Sequence, residues 1–167
     1  MTDRDLQIDG VDAHIVSVLL DEGRASFRAI SDRVGVSATT VSERVARLQR
    51  LGVIEGFEPR IDHAKLGYDT VATFRVRAAA GTRGRLAASV ADYRSMVSVF
   101  EVAGRYDVLA VGRFPDADAV QTCVRELRGH AAVAEVTTTL VLDAVLPYRQ
   151  LRSLDELVDG PLSRRSD

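Results

Sequence analysis

RAISDRVGVSATTVSERVARLQRLGVIEG, running from Arg28 to Gly56, holds two short amphipathic helical patterns on either side of a glycine-containing turn. In the first pattern Ala29, Ile30, Val34 and Val36 form the apolar side. Gly35 marks where the chain leaves that helix, because a residue without Cβ adopts positive φ at no steric cost. Ser37 stands at the N-cap of the second pattern, where its hydroxyl accepts a backbone N–H, and Val41, Val45 and Leu48 recur at i, i+4 and i+7 as a buried stripe. On a helical wheel the opposite face holds Thr39, Thr40, Glu43, Arg47 and Arg50, with Ser42 and Arg44 at its margins. Together with Ser37 these are side chains that hydrogen-bond to base edges and phosphates of double-stranded DNA. Any small helical bundle shows a polar outer face, so the wheel alone does not decide. The tight Gly35-Val36-Ser37 turn favours a helix-turn-helix, and Leu51 to Gly56 supplies the helix stop and short apolar strand that a winged version needs.

Upstream, Ile15, Val18 and Leu19, with Phe27 and Ile30, give a first helix over roughly residues 10–22 that closes a trihelical core, and Asp9 or Asp12 can cap its start. Residues 57–66, with Pro59 among charged side chains, read as an extended connector. From Thr70 the period changes to two: Ala72, Phe74, Val76 and Ala78 alternate with Thr73, Arg75 and Arg77. A helix over 84–93, strands over 96–103 and 106–114, a helix over 116–128 and a last strand over 133–142 follow, giving βαββαβ. Four antiparallel strands with two helices on one face is the ferredoxin-like arrangement, so the fold class is α+β. The expected layout is a helix-turn-helix domain over 1–56, a linker over 57–69, a ferredoxin-like domain over 70–147 and a tail over 148–167.

Both faces of that sheet carry apolar side chains. Val97, Val99, Leu109, Val111 and Val141 take one parity and Phe100, Val102, Val108, Ala110, Leu140 and Leu142 the other. Helices cover only one face, so the second needs cover, most simply by another copy of the chain and otherwise by the amino-terminal domain or the tail. The turn Gly104-Arg105-Tyr106-Asp107 is the candidate small-molecule site: glycine allows close backbone approach, Asp107 can meet an amino acid's ammonium and Arg105 its carboxylate. A turn with Tyr106 packed and Asp107 bonded to backbone would have the same sequence.

The runs IDGVDAHIVSVLLDEGRAS, GVSATTVSE and RVARLQRLGVIEGF, continued by Leu66-Gly67 and Ala103-Gly104-Arg105-Tyr106-Asp107, resemble the Lrp/AsnC (feast/famine) family of transcription regulators over about residues 8–146. The resemblance implies a ferredoxin-like regulatory domain, dimers that often assemble further, and effectors such as amino acids bound between subunits near this turn, with Thr137 and Thr139 of the last strand as partners. Ala103 stands where the family often has Thr, and residues 148–167 extend past its usual end.

Composition limits the alternatives. The net charge is −2, yet Ser37 to Leu51 carries Arg44, Arg47 and Arg50 against Glu43 alone, so positive charge is local and one such domain would hold DNA weakly. That favours a homodimer or larger assembly. No apolar run suits a membrane span and the N-terminus lacks a signal-peptide pattern, so a cytoplasmic protein is expected. Cys123, the single cysteine, reads as a small buried hydrophobe, and His14, His63 and His130 are scattered without ligand spacing, so no metal and no cofactor are expected. The runner-up readings are an enzyme like the sirohaem decarboxylases, which resemble this family in both domains, and a ligand-binding module without DNA activity. The first would be expected to place histidines in the sheet domain, where only His130 occurs, and the second lacks the first domain that this chain has.

Overall fold

In the computed structural model, which describes residues 8–144, helix α1 (Gly10–Asp21) begins at Asp9. The Asp9 carboxylate accepts from the Asp12 N–H at 2.9 Å and the Asp12 carboxylate accepts from the Asp9 N–H at 3.3 Å, so both candidate caps act, as one reciprocal box. Ser26 caps α2 (Phe27–Val34), which ends at Gly35 with φ 79°. Ser37 caps α3 (Ala38–Arg50) through the Thr40 N–H at 3.0 Å. Ile15, Ile30, Val41, Val45 and Leu48 are buried together, and each of the larger ones contributes ~1.5–3 kcal/mol by leaving water. The expected strand after α3 does not form. Instead the N–H groups of Val53 and Ile54 both donate to the Leu48 carbonyl, 2.9 and 3.2 Å, around Gly52 with φ 71°, and the two side chains cover the core. An orphaned helix-end carbonyl thus takes the donors that a wing strand would have used. Among the described residues the first unit, up to Arg60, is helical without a strand.

The second unit starts at Ile61. Its first residues are not fully extended: Asp62 accepts from Ala64 N–H and a 3-10 turn, Ala64–Leu66, closes at Gly67 with φ 83°. The order is then β1 (Thr70–Ala78), α4 (Arg83–Ala91), β2 (Met96–Glu101), β3 (Val108–Phe114), α5 (Ala117–Gly129) and β4 (Val133–Val141). The sheet is antiparallel in the spatial order β2-β3-β1-β4, so the α+β, ferredoxin-like arrangement is as expected. Helices α4 and α5 lie on one face. Their Leu86, Val90, Val120, Cys123 and Leu127 bury Ala72, Phe74 and Val76 of β1, Val108, Ala110 and Phe114 of β3 and Val136 of β4. The Phe74 and Phe114 rings meet at 5.8 Å and 57°, over Gly112, where an added Cβ would lie 2.6 Å from the Phe114 ring.

Register corrects the sorting of β2. Glu101 pairs with Val108, so an odd position on β2 opposes an even one on β3. Val99 therefore faces the helices opposite Ala110, and Phe100 lies on the open face opposite Leu109 and is 53% exposed. Val97 sits at a register shift between Met96 and Ser98 and is exposed, and Leu140 is on the helix side, opposite Ala72, but uncovered. A one-residue change of register moves every side chain of a strand to the other face. The open face keeps an apolar half, Phe100, Leu109 and Val111, on β2 and β3.

Candidate nucleic-acid interface and effector groove

Helix α3 is presented by its cap and by a buried carboxylate. Asp12 is fully buried; its two oxygens accept from Arg44 at 3.2 Å and Arg47 at 2.9 Å, and Arg44 also reaches Asp9 at 2.5 Å. Burial pushes the Asp9 carboxyl up, but the Asp12 N–H and the Arg44 guanidinium outweigh it and hold the carboxyl below its usual value of 3.8. The bonds to Asp9 and then Asp12 raise the Arg44 guanidinium in turn. Arg44 and Arg47 therefore clamp α3 to the start of α1, on the margin of the wheel, rather than standing on the outward face. Thr40 turns its hydroxyl to Ser37 Oγ, 2.8 Å away, and belongs to the cap.

What α3 leaves in solvent is a ridge of Thr39, Glu43 and Arg50 with half-buried Ser42 beside it and Ser37 at its start. Ala46 and Gln49 are exposed with them, though the wheel reading passed over both. Arg28, exposed in the first turn of α2, is a further cation that it missed. The signal was available, since a cation is electrostatically unfavourable at a helix N-terminus and Arg28 has no acidic partner among the described residues.

The six turn and strand residues do not converge on one site. Asp107 faces α4: its carboxylate accepts from the Ala78 N–H at 2.9 Å and from Arg83 at 3.0 Å. Tyr106, Arg105, Thr137 and Thr139 belong to the open face. The Tyr106 hydroxyl lies 3.2 Å from that of Thr137, Arg105 stacks on the Tyr106 ring at 5.4 Å, and Thr139 is exposed one cross-strand row further on. Gly104, with φ 139°, lies in the turn ahead of Arg105, Tyr106 and Asp107. On the α4 side a groove of about 430 Å³ is lined by Arg83, Gly84, Glu101, Val102, Ala103 and Asp107. It offers a guanidinium and two carboxylates, a set suited to a zwitterion.

The three histidines do local work: His14 Nδ1 donates to the Gly10 carbonyl, His63 starts the 3-10 turn, and His130 Nδ1 accepts from the Ala132 N–H. Cys123 is buried, and burial pushes its thiol up. No cluster of His, Cys, Asp or Glu among the described residues could hold a metal, and no helix there is long and apolar enough to cross a membrane.

Comparison with known proteins matches both units. The AsnC-type helix-turn-helix domain matches residues 8–49 and the Lrp/AsnC ligand binding domain residues 71–151. The HTH-type transcriptional regulator FL11 of Pyrococcus horikoshii is 31% identical over 135 residues, 81% of this chain and 89% of its own. The regulator AldR of Mycobacterium tuberculosis is 31% identical over 144 residues, 84% of this chain and 80% of its own. A transcriptional regulator of Neisseria meningitidis solved with L-Met superposes with a TM-score of 0.83 at 25% identity, covering 90% of this chain and 99% of that one. E. coli AsnC shares the fold, with a TM-score of 0.81 at 20% identity over 88% of this chain and 99% of its own. A DNA-binding unit and a ligand-binding unit thus follow one another here as in these regulators, and the chain belongs to the Lrp/AsnC family of transcription regulators.

Proposed function

We propose that this regulator reads double-stranded DNA in a sequence-specific way through the exposed ridge of α3, as a cytoplasmic homodimer or higher oligomer whose affinity a small effector adjusts. The observation that carries the reading is the ridge itself: Thr39, Glu43, Gln49 and Arg50 are exposed and Ser42 half-buried beside them, while Thr40, Arg44 and Arg47 of the same helix are spent on its cap and its clamp. Base contacts are assigned to Thr39, Ser42, Glu43, Arg50 and Ser37, and phosphate contacts to Arg28 and Arg50. Arg44, Arg47 and Thr40 act by holding α3 in place, with the outer part of each guanidinium, about a third exposed, within reach of a phosphate.

The apolar half of the open sheet face is the self-association surface, since Phe100, Leu109 and Val111 form a patch that the chain's own helices do not cover. Paired reading helices then address half-sites about one helical turn apart, ~34 Å. The effector is read as an amino acid. Its carboxylate would meet Arg83 and its ammonium Glu101 or Asp107 in the groove beside the β2–β3 turn, in keeping with the L-Met bound by the Neisseria regulator. Ala103 adds no hydrogen bond there.

The test is to select bound fragments from the source genome with the full-length protein, then titrate the winning duplex by fluorescence anisotropy. Arg28→Ala should weaken all sequences alike and flatten the salt dependence by about one unit of slope. Leu109→Asp should make the protein monomeric by burying an unpaired carboxylate, and DNA affinity should fall with it. Failure to enrich any fragment would overturn the reading.

A further inference from the structure

The groove beside α4 is not neutral. Arg83 and Asp107 form a pair in its wall: the Arg83 Nε lies 3.0 Å from one Asp107 oxygen, and the other oxygen accepts from the Ala78 N–H at 2.9 Å. Glu101, the last residue of β2, adds a second carboxylate, which has no hydrogen bond or ion pair among the described residues. One guanidinium against two carboxylates leaves the groove with an excess negative charge.

The two carboxylates are suited to different parts of a ligand. The α-carboxylate and α-ammonium of an amino acid sit on one carbon, so the groups that receive them must be neighbours. Arg83 and Asp107 meet that condition. Arg83 is 70% exposed and its Nη groups are not used in the bond to Asp107, while Asp107 is held in place by two bonds and keeps an exposed fraction of 16%. This pair takes the part common to all amino acids. Glu101 lines the same groove from the β2 side of the turn and is left for the ligand's side chain. The apolar part of the wall is small, half-buried Val102 and exposed Ala103, which suits a methylene stem rather than a branched or aromatic group.

We propose that the effector groove selects a cationic amino acid of the lysine or arginine class, with its α-groups on Arg83 and Asp107 and its side-chain cation on Glu101. The inference rests on the effector reading above and adds the class of ligand to it. A neutral amino acid leaves Glu101 to water, and an acidic one brings a like charge to it. The order of affinity, cationic above neutral above acidic, follows from that one carboxylate. Glu101 is thus a specificity-determining residue, and Arg83 and Asp107 are not.

The experiment compares L-lysine with L-norleucine, which has the same carbon chain without the terminal ammonium, by isothermal titration calorimetry on the full-length protein. L-lysine should bind about fivefold tighter, the upper range for an ion pair with an exposed carboxylate, and L-glutamate more weakly than either. The preference should shrink at ~0.5 M sodium chloride, where exposed charges are screened. Glu101→Gln should bring L-lysine down to the affinity of L-norleucine, and should leave both L-norleucine binding and the unfolding temperature unchanged, because Glu101 has no partner among the described residues. Arg83→Gln should weaken both ligands, since both present the same α-carboxylate. If L-norleucine binds as tightly as L-lysine, or the preference survives in Glu101→Gln, the inference is overturned while an amino-acid effector stands. If neither ligand gives a saturable heat with the wild type, the inference and the amino-acid reading of the groove fall together.

Discussion

Arg44 and Arg47 converge on a carboxylate that is fully buried, and removing both should cost more than removing each in turn. In Arg47→Ala, Asp12 keeps Arg44 at 3.2 Å and the Asp9 N–H at 3.3 Å. In Arg44→Ala it keeps Arg47 at 2.9 Å. Each single change then loses one charge-assisted bond from a guanidinium that is about a third exposed, so screening holds the loss to ~1–1.5 kcal/mol. The double variant leaves a buried carboxylate with no guanidinium of this clamp, the situation that costs ~3–5 kcal/mol. A coupling of ~1–2 kcal/mol beyond the sum of the singles is expected. Adding Asp12→Ala to the double variant should restore part of the loss, because the uncompensated charge goes with it. Urea unfolding of the full-length protein followed at helix amides by hydrogen exchange reports on this unit alone. Additive singles, or a triple variant less stable than the double, would refute the clamp.

Gly112→Ala should destabilise the sheet unit by ~1–3 kcal/mol, since its Cβ would lie 2.6 Å from the Phe114 ring and 3.2 Å from the Phe74 ring; thermal unfolding measures it. Thr138→Val should stabilise by ~1 kcal/mol, because the Thr138 hydroxyl is buried with no hydrogen-bond partner among the described residues; a lower melting temperature would count against this. Asp9 is held below 3.8, so the folded state gains from its ionised form above that value and loses the gain as pH falls through the lowered folded pKa; Asp9→Asn should flatten the acid limb of a stability curve. Cys123 has the opposite sign: its folded value lies above 9.0, the neutral thiol is favoured below that, and alkylation near pH 8 should be slow until the chain unfolds.

The parts of the fold governed by local rules were legible in the sequence. Ser37, Gly35 and the Val41-Val45-Leu48 stripe placed α2 and α3, because caps and periodicity act within a turn or two of the chain. The βαββαβ order followed from period and turn residues in the same way. What was lost needed contacts distant in sequence. A wheel sees only its own helix, so it set Arg47 outward, when a carboxylate 35 residues earlier draws it to the side. Parity counted across the β2–β3 turn put Val99 and Phe100 on the wrong faces, because the pairing of Glu101 with Val108, not residue number, sets the register. The turn residues read as one effector site because they are adjacent in sequence, whereas Asp107 turns to the Ala78 N–H and Tyr106 to the Thr137 hydroxyl, contacts 29 and 31 residues away.

The exposed ridge of α3 is proposed to read bases while the clamp only positions it. The direct measurement is a binding-site selection with the wild type, with Arg50→Ala and Glu43→Ala on the ridge, and with Arg47→Ala on the clamp, each scored for base preference at every operator position. Ridge variants should lose preference at one or two positions, worth ~1–3 kcal/mol each, and Arg47→Ala should keep the wild-type motif at reduced affinity. A motif unchanged in both ridge variants, or altered only in Arg47→Ala, would rule the ridge out as the reader of bases.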